Sequence, residues 1–250
     1  MSLQIVTLAE RPDLRAAIFA DEIQLSAFPE FMRHDPVADL YFAREALDRY
    51  LDFVLAALDD GQLVARAFSV PFCFGIDGRN ELPDAGWDGV IRWAHEDHVA
   101  GRKPNAVSAL EISLLPRVRG AGNSRAMLGA MKQDARARGF ADLYAPLRPN
   151  QKHLQPHVPM AEYVRELRPD GLPADAWLRT HVRDGARIMK VAPCSMTIVG
   201  TVADWSRWTG MTFAGSGQYA IDGALTPVSI SLEHDHGVYV EPNVWMHHPL

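Results

Sequence analysis

Residues 110–124 read LEISLLPRVRGAGNS, and this stretch decides the fold. It begins inside an apolar run, Val107 to Leu115, that predicts a β-strand closed by Pro116. A glycine-rich turn follows, and apolar residues then recur at helical spacing from about Ser124 to Arg138. A turn between a strand and a helix aims several backbone N–H groups at one point, and the positive end of the helix dipole adds to them. The stretch therefore predicts an anion site that suits phosphate.

The two glycines of the turn, Gly120 and Gly122, allow the backbone to approach a phosphate that any Cβ would push away. Arg117 and Arg119 add positive charge. Two other phosphate loops fit less well. Arg125 stands where a dinucleotide-binding loop has its third glycine, and no Gly-Lys-Ser/Thr sequence ends the turn as in a P-loop. A plain surface turn is the remaining structural alternative.

The pattern Arg117-x-x-Gly120-x-Gly122, after a strand that ends in proline and before an amphipathic helix, resembles the pyrophosphate-binding motif of the GNAT N-acetyltransferase superfamily. The order of predicted elements is similar to that family over residues 1–192, although specific motifs fall only within 110–150. The resemblance implies an α/β fold, with a mixed central sheet flanked by helices. We expect residues 1–192 to form a GNAT-like acyltransferase core and residues 193–250 to form a β-rich C-terminal extension packed on the same domain.

The same resemblance implies which residues bind acetyl-CoA as co-substrate. In the family, backbone amides at the end of the motif strand and in the turn bind the pyrophosphate, and the pantetheine arm lies where the next strand diverges. An asparagine after that strand commonly contacts the arm. Asn150 matches it by position, with a turn residue beside Pro149 as the alternative. The implied set is Leu114, Leu115, Arg117, Arg119, Gly120, Ala121, Gly122, Asn123, Ser124 and Asn150.

Amine attack on a thioester needs a base for the amine and an acid for the leaving thiolate. Similar enzymes often carry a base carboxylate on the motif strand, so Glu111 is the predicted base. The alternative is a structural ion pair between Glu111 and a basic neighbour such as Arg119 or Lys103. Tyr163, on a short predicted helix, is the predicted acid, and Tyr144 is its rival. A packed core residue is the alternative for either tyrosine.

Further elements surround the motif. Apolar residues from Leu40 to Leu58 recur at helical spacing after the N-cap residue Asp39, which predicts a long helix that ends at Gly61. Strands are predicted at 62–70, 141–147, 187–191 and 195–199, and a helix at 87–99.

Composition limits the remaining functions. The net charge of −6 lacks the basic footprint of a nucleic-acid-binding protein. No apolar run approaches the roughly 20 residues of a membrane span, and the N-terminus lacks a signal-peptide pattern. With only two cysteines as well, we expect a cytoplasmic protein. His95 and His98 lie three apart on a predicted helix, whereas metallohydrolase helices carry histidines four apart.

The sequence therefore predicts an acyl-CoA-dependent N-acyltransferase that moves an acetyl group to an amine. Direct attack in a ternary complex is expected, because the motif region offers no convincing nucleophile. A GNAT-like protein that binds coenzyme A without catalysis is one alternative, and a metal-dependent hydrolase is another. The acceptor is predicted to be a small-molecule or peptide amine of unknown identity. An additional C-terminal strand invites a homodimer.

Overall fold

The computed structural model describes residues 3–20, 22–23 and 27–250. This part of the chain contains one mixed sheet with strand order β1-β2-β3-β4-β5-β9-β8-β7, and β6 pairs with β9. The strands are β1 (Gln4–Thr7), β2 (Val54–Asp59), β3 (Gln62–Phe72), β4 (Ala106–Leu114), β5 (Asp142–Leu147), β6 (Arg187–Gly200), β7 (Gly217–Tyr219), β8 (Val228–Ser231) and β9 (His236–Pro249). The α-helices are α1 (Arg15–Ile18), α2 (Asp39–Phe42), α3 (Arg44–Leu47), α4 (Gly86–Val99), α5 (Asn123–Ala137), α6 (Met160–Tyr163), α7 (Ala176–Arg183) and α8 (Val202–Thr209).

The predicted long helix over residues 40–58 is wrong. The chain forms only the single turns α2 and α3 there, followed by a 3₁₀ turn, and residues 54–59 form strand β2. This strand pairs with β1 and β3, and its first five residues are buried. A short run that is apolar throughout fits a buried strand as well as a helix, so periodicity alone did not decide. Asp60 and Gly61, at φ 48° and 78°, form the two-residue turn to β3 instead of a helix cap.

The centre of the sheet is the parallel pair β4 and β5. The two strands pair only at Val107 with Leu143 and at Ser108 with Tyr144, and they separate beyond this point. Helix α5 connects them and packs one apolar face against the sheet, and α4 packs against the sheet within a second hydrophobic cluster. The separation of β4 and β5 opens a gap in the middle of the sheet.

The C-terminal strand β9 lies between β5 and β6, and it pairs antiparallel with both. The two strands predicted at 187–191 and 195–199 are one strand, β6, with an irregularity between Ala192 and Met196. Pro193, which lacks an N–H, lies in that irregularity. Strand β6 crosses residue 192, and the predicted domain boundary there stays a prediction. In the described ranges, no helix has the length and apolar character needed to cross a membrane.

Candidate active site

A cavity of about 840 Å³ occupies the gap between β4 and β5. Residues 109–114 of β4 line one side, and residues 145–147 of β5 line the other. The glycine turn contributes Gly120 and Ser124 to the lining, whereas Phe42 and Trp87 contribute aromatic rings. Trp87 Nε1 donates to the carbonyl oxygen of Leu110 at 3.2 Å, which fixes the indole beside β4. The volume suits a small-molecule or cofactor site.

The glycine turn leaves a set of backbone amides unused. Gly120 and Gly122 lie at φ 81° and 80°, in the left-handed region that favours glycine, and Gly122 is the N-cap of α5. The N–H groups of residues 120–122 make no backbone hydrogen bond within the described chain. The first N–H groups of α5 have no acceptor four residues earlier in the helix. These unpaired amides lie at the positive end of the helix dipole, an arrangement that suits an anion.

Fewer amides lack a hydrogen-bond acceptor than the resemblance to the family implied. Leu115 N–H donates to Val64 O at 2.9 Å, and Arg119 N–H donates to Pro116 O at 3.2 Å. Side chains brace the turn as well, because Asn123 Nδ2 donates to Val118 O at 2.9 Å. Within the described chain, the amides of the turn and helix start that have no backbone acceptor are therefore those of residues 120–124.

The predicted cofactor residues fall into two groups. Those that line the cavity are Leu114, Arg119, Gly120, Ser124 and Asn150. Those in the strand end and turn behind it are Leu115, Arg117, Ala121, Gly122 and Asn123. The Arg117 guanidinium is half-exposed and lies 3.5 Å from a Glu22 carboxylate oxygen.

Glu111, the predicted base, lies inside the cavity with only 10% of its side chain exposed. Arg66 Nε donates to its Oε1 at 2.7 Å, and Ser113 Oγ donates to the same oxygen at 2.6 Å. The ion-pair partner is thus Arg66 on β3, not the Arg119 or Lys103 suggested by the sequence. No described residue donates a hydrogen bond to Oε2. One oxygen of Glu111 is anchored, and the other is available to a substrate.

Tyr163, the predicted acid, is buried and does not line the cavity. Its hydroxyl donates to Asp175 Oδ2 at 2.9 Å, and burial followed by the Asp175 charge raises its pKa. Asp175 also caps α7 by accepting from two of its backbone amides. The rival, Tyr144, is buried and stacks on His247 with 4.8 Å between ring centroids.

A buried histidine pair at the cavity wall has no counterpart in the predicted set. His181 on α7 lines the cavity, and its Nδ1 lies 2.9 Å from Nε2 of His248 on β9. Burial, followed by His248, lowers the pKa of His181 to about 3. Burial, followed by Lys132, lowers the pKa of His248 to about 4. Both rings are therefore neutral at physiological pH. Sequence reasoning missed this pair, because helix α7 was not predicted.

The histidine pair predicts acid sensitivity. In the unfolded chain each ring takes up a proton below its ordinary pKa of 6.5, whereas in the folded chain His248 does so only near pH 4 and His181 near pH 3. Above pH 6.5 the two buried rings therefore cost the folded state nothing by titration. As the pH falls from 6.5 towards 4, the free energy of unfolding decreases by roughly 1.4 kcal/mol per pH unit for each ring. We expect His248→Gln to flatten this loss by about one ring's share. Urea unfolding at several pH values measures it.

The exposed His98 supplies the control, since His98→Gln removes a histidine that is not buried. An acid slope that is unchanged in His248→Gln, or equally flattened in His98→Gln, would contradict the role of the buried pair.

A diverging parallel strand pair, an unused cluster of amides at a helix start and a carboxylate in the intervening cavity fit the class of acyl-CoA-dependent transferases that the motif resembles. No family model matches the chain. The chain is 32% identical over 272 residues to the arginine N-acetyltransferase avaD of Aspergillus versicolor, covering 98% of this chain and 93% of the relative.

Two solved structures have the same fold. The loading GNATL domain of CurA from Lyngbya majuscula has a TM-score of 0.60 at 17% identity, over 99% of this chain and 96% of that one. The GphF GNAT-like decarboxylase in complex with isobutyryl-CoA has a TM-score of 0.52 at 16% identity, over 100% of this chain and 99% of that one. The chain belongs to the GNAT superfamily and is an acetyl-CoA-dependent N-acetyltransferase. The predicted α/β fold, enzyme class and co-substrate are confirmed.

Proposed function

We propose that the acceptor is arginine or a closely similar guanidino compound. This acceptor is supported by the lining of the cavity, which combines aromatic faces with carboxylates. Phe42 stacks on Trp87 with 6.0 Å between centroids, and both rings line the cavity. Asp39 lines it too, and its carboxylate forms no hydrogen bond or ion pair with a described residue. A guanidinium stacks on aromatic faces and pairs with carboxylates. The name of the relative at 32% identity also supports arginine.

We propose Glu111 as the base. Acetyl-CoA supplies the thioester that the amine attacks, so that a C–N bond forms and the C–S bond breaks. Glu111 Oε2 takes the proton from the amine, directly or through one water. Strand β4 supplies N–H groups for the thioester oxygen, because beyond Ser108 it no longer pairs with β5.

The leaving sulfur also takes up a proton. The hydroxyl of Tyr163 is committed to Asp175, which favours a structural role. Its role as the acid stays a prediction, as do the homodimer and the cytoplasmic location.

Two successive measurements test this proposal. Calorimetric titration with acetyl-CoA, with a plain nucleotide as control, should give micromolar-range binding, about −8 kcal/mol. Incubation with acetyl-CoA and arginine should then release free thiol and yield an acetylated product detected by mass spectrometry. Acetylation of other amines without acetylation of arginine would overturn the acceptor while leaving the transferase intact.

A further inference from the structure

Arg148 follows directly after β5, and its side chain lines the same cavity. Its Nε donates to both carboxylate oxygens of Glu241, at 3.1 and 3.0 Å, and its Nη2 donates to Gly223 O. Nη1 donates to no residue in the described ranges. The side chain lines the cavity and is 19% exposed, and Tyr239 lies close enough to interact with its guanidinium.

Glu241 itself cannot take a substrate cation. It is fully buried, and its Oε1 also accepts from Asn243 Nδ2 at 3.1 Å. Its Oε2 also accepts from Tyr239 Oη at 2.7 Å. With both oxygens already accepting, the carboxylate acts as a fixed partner for Arg148. A buried pair of this kind needs such additional hydrogen bonds to offset its desolvation.

The network continues away from the cavity and holds Arg148 rigidly. Ser195 Oγ donates to Asn243 Oδ1 at 2.6 Å, and Trp87 N–H at the start of α4 donates to Ser195 Oγ at 2.8 Å. Arg148 is therefore tied through β9 and β6 to the helix that carries the Trp87 ring. A guanidinium held in this way is preorganised to bind an anion.

Arg66, the cavity arginine that contacts the predicted base, already has hydrogen-bond acceptors. Arg66 donates to Glu111 and to Ile18 O. Arg148 thus offers a donor in the cavity that the two aromatic rings also line, and its carboxylate partner Glu241 is shared with two other donors, Tyr239 and Asn243.

We propose that Arg148 Nη1 binds the α-carboxylate of the acceptor, so that the enzyme selects an amino acid over the corresponding plain amine. This inference rests on the proposed acceptor. A carboxylate can also enter the cavity on the acyl group of a dicarboxylic acyl-CoA, and the experiment distinguishes the two sources.

The test compares arginine with agmatine, which has the guanidinium but no carboxylate. The native enzyme should prefer arginine in kcat/KM by roughly 10- to 100-fold, the range for one hydrogen bond between charged groups. Arg148→Lys keeps a positive charge beside Glu241 but loses the planar fork, and it should remove most of this preference while agmatine turnover holds. The double variant Arg148→Gln/Glu241→Gln removes both charges together and guards against misfolding caused by an unpaired buried carboxylate.

Calorimetric titration of arginine or agmatine into protein saturated with coenzyme A measures the affinity for each amine in the absence of turnover. This measurement therefore tests the Arg148 contact even if the enzyme fails to transfer acetyl to arginine. An unchanged preference for arginine in folded variants overturns the inference. Loss of activity with malonyl-CoA but not of the arginine preference assigns Arg148 to the acyl group and overturns it too. Arg33 also lines the cavity and pairs with Glu30 at 3.3 Å. Loss of the arginine preference in Arg33→Lys, but not in Arg148→Lys, would assign the carboxylate to Arg33 and overturn the inference as well.

Discussion

We expect the Gly122→Asp variant to lose at least about 100-fold in affinity for coenzyme A, because it adds an anion at the turn where the pyrophosphate is predicted to bind. Gly122 is the N-cap of α5 in a left-handed conformation, and the adjacent amides have no other acceptor. An aspartate carboxylate there can accept from those amides itself, and it repels the pyrophosphate. Calorimetric titration with coenzyme A measures the loss.

Gly139 provides a matched control at the other end of the same helix. It also has a positive φ, 85°, and open space where a Cβ would lie. Gly139→Asp therefore imposes the same backbone strain without a charge at the anion site. We expect it to lower stability by about 1 kcal/mol and to leave affinity unchanged. Full affinity in a folded Gly122→Asp protein would move the pyrophosphate away from this turn.

Glu111→Gln should lower kcat by about 10²- to 10³-fold near neutral pH, the range for a lost general base. The glutamine has the same volume, and its oxygen can still accept from Arg66 and Ser113, so the cavity keeps its shape. Affinity for acetyl-CoA should hold, because Glu111 lies on β4 before the glycine turn. Steady-state rates measured from pH 6 to pH 9.5 provide the readout. The deficit should shrink at high pH, where more of the amine is already deprotonated in solution.

Ser113→Ala separates this base role from a structural one. It removes one donor to the anchored Oε1 and leaves Oε2 open. We expect less than about a tenfold change in kcat, as for one hydrogen bond. Equal rates for Glu111→Gln and the native enzyme at every pH would remove Glu111 from the chemistry.

Sequence reasoning succeeded where the signal is local. The motif strand, the turn and helix α5 are contiguous, and a strand that ends in Pro116 before Gly120 and Gly122 has few other interpretations. It failed over residues 40–58, because five successive buried residues in β2 carry no period that separates a strand from a helix.

The pairs that build the rest of the site are remote in sequence. Arg66 lies 45 positions from Glu111, Arg148 lies 93 from Glu241, and His181 lies 67 from His248. Which acidic residue meets which basic one depends on strand order, and above all on β9 lying beside β5. No composition or spacing rule encodes that arrangement. The motif indicated the family, whereas the partners of its side chains required the three-dimensional structure.

The position of β9 also governs when the enzyme becomes competent during synthesis. Strand β5 has only two paired positions with β4, and the greater part of its ladder is with β9. Until residues 236–249 have left the ribosome, one edge of β5 stays bare and Glu241 has not reached Arg148. Pairings this distant in sequence form slowly. Between the synthesis of β5 and that of β9 the nascent chain therefore exposes an unpaired apolar edge, and we expect it to depend on chaperones more than a protein of its size with local strand pairing.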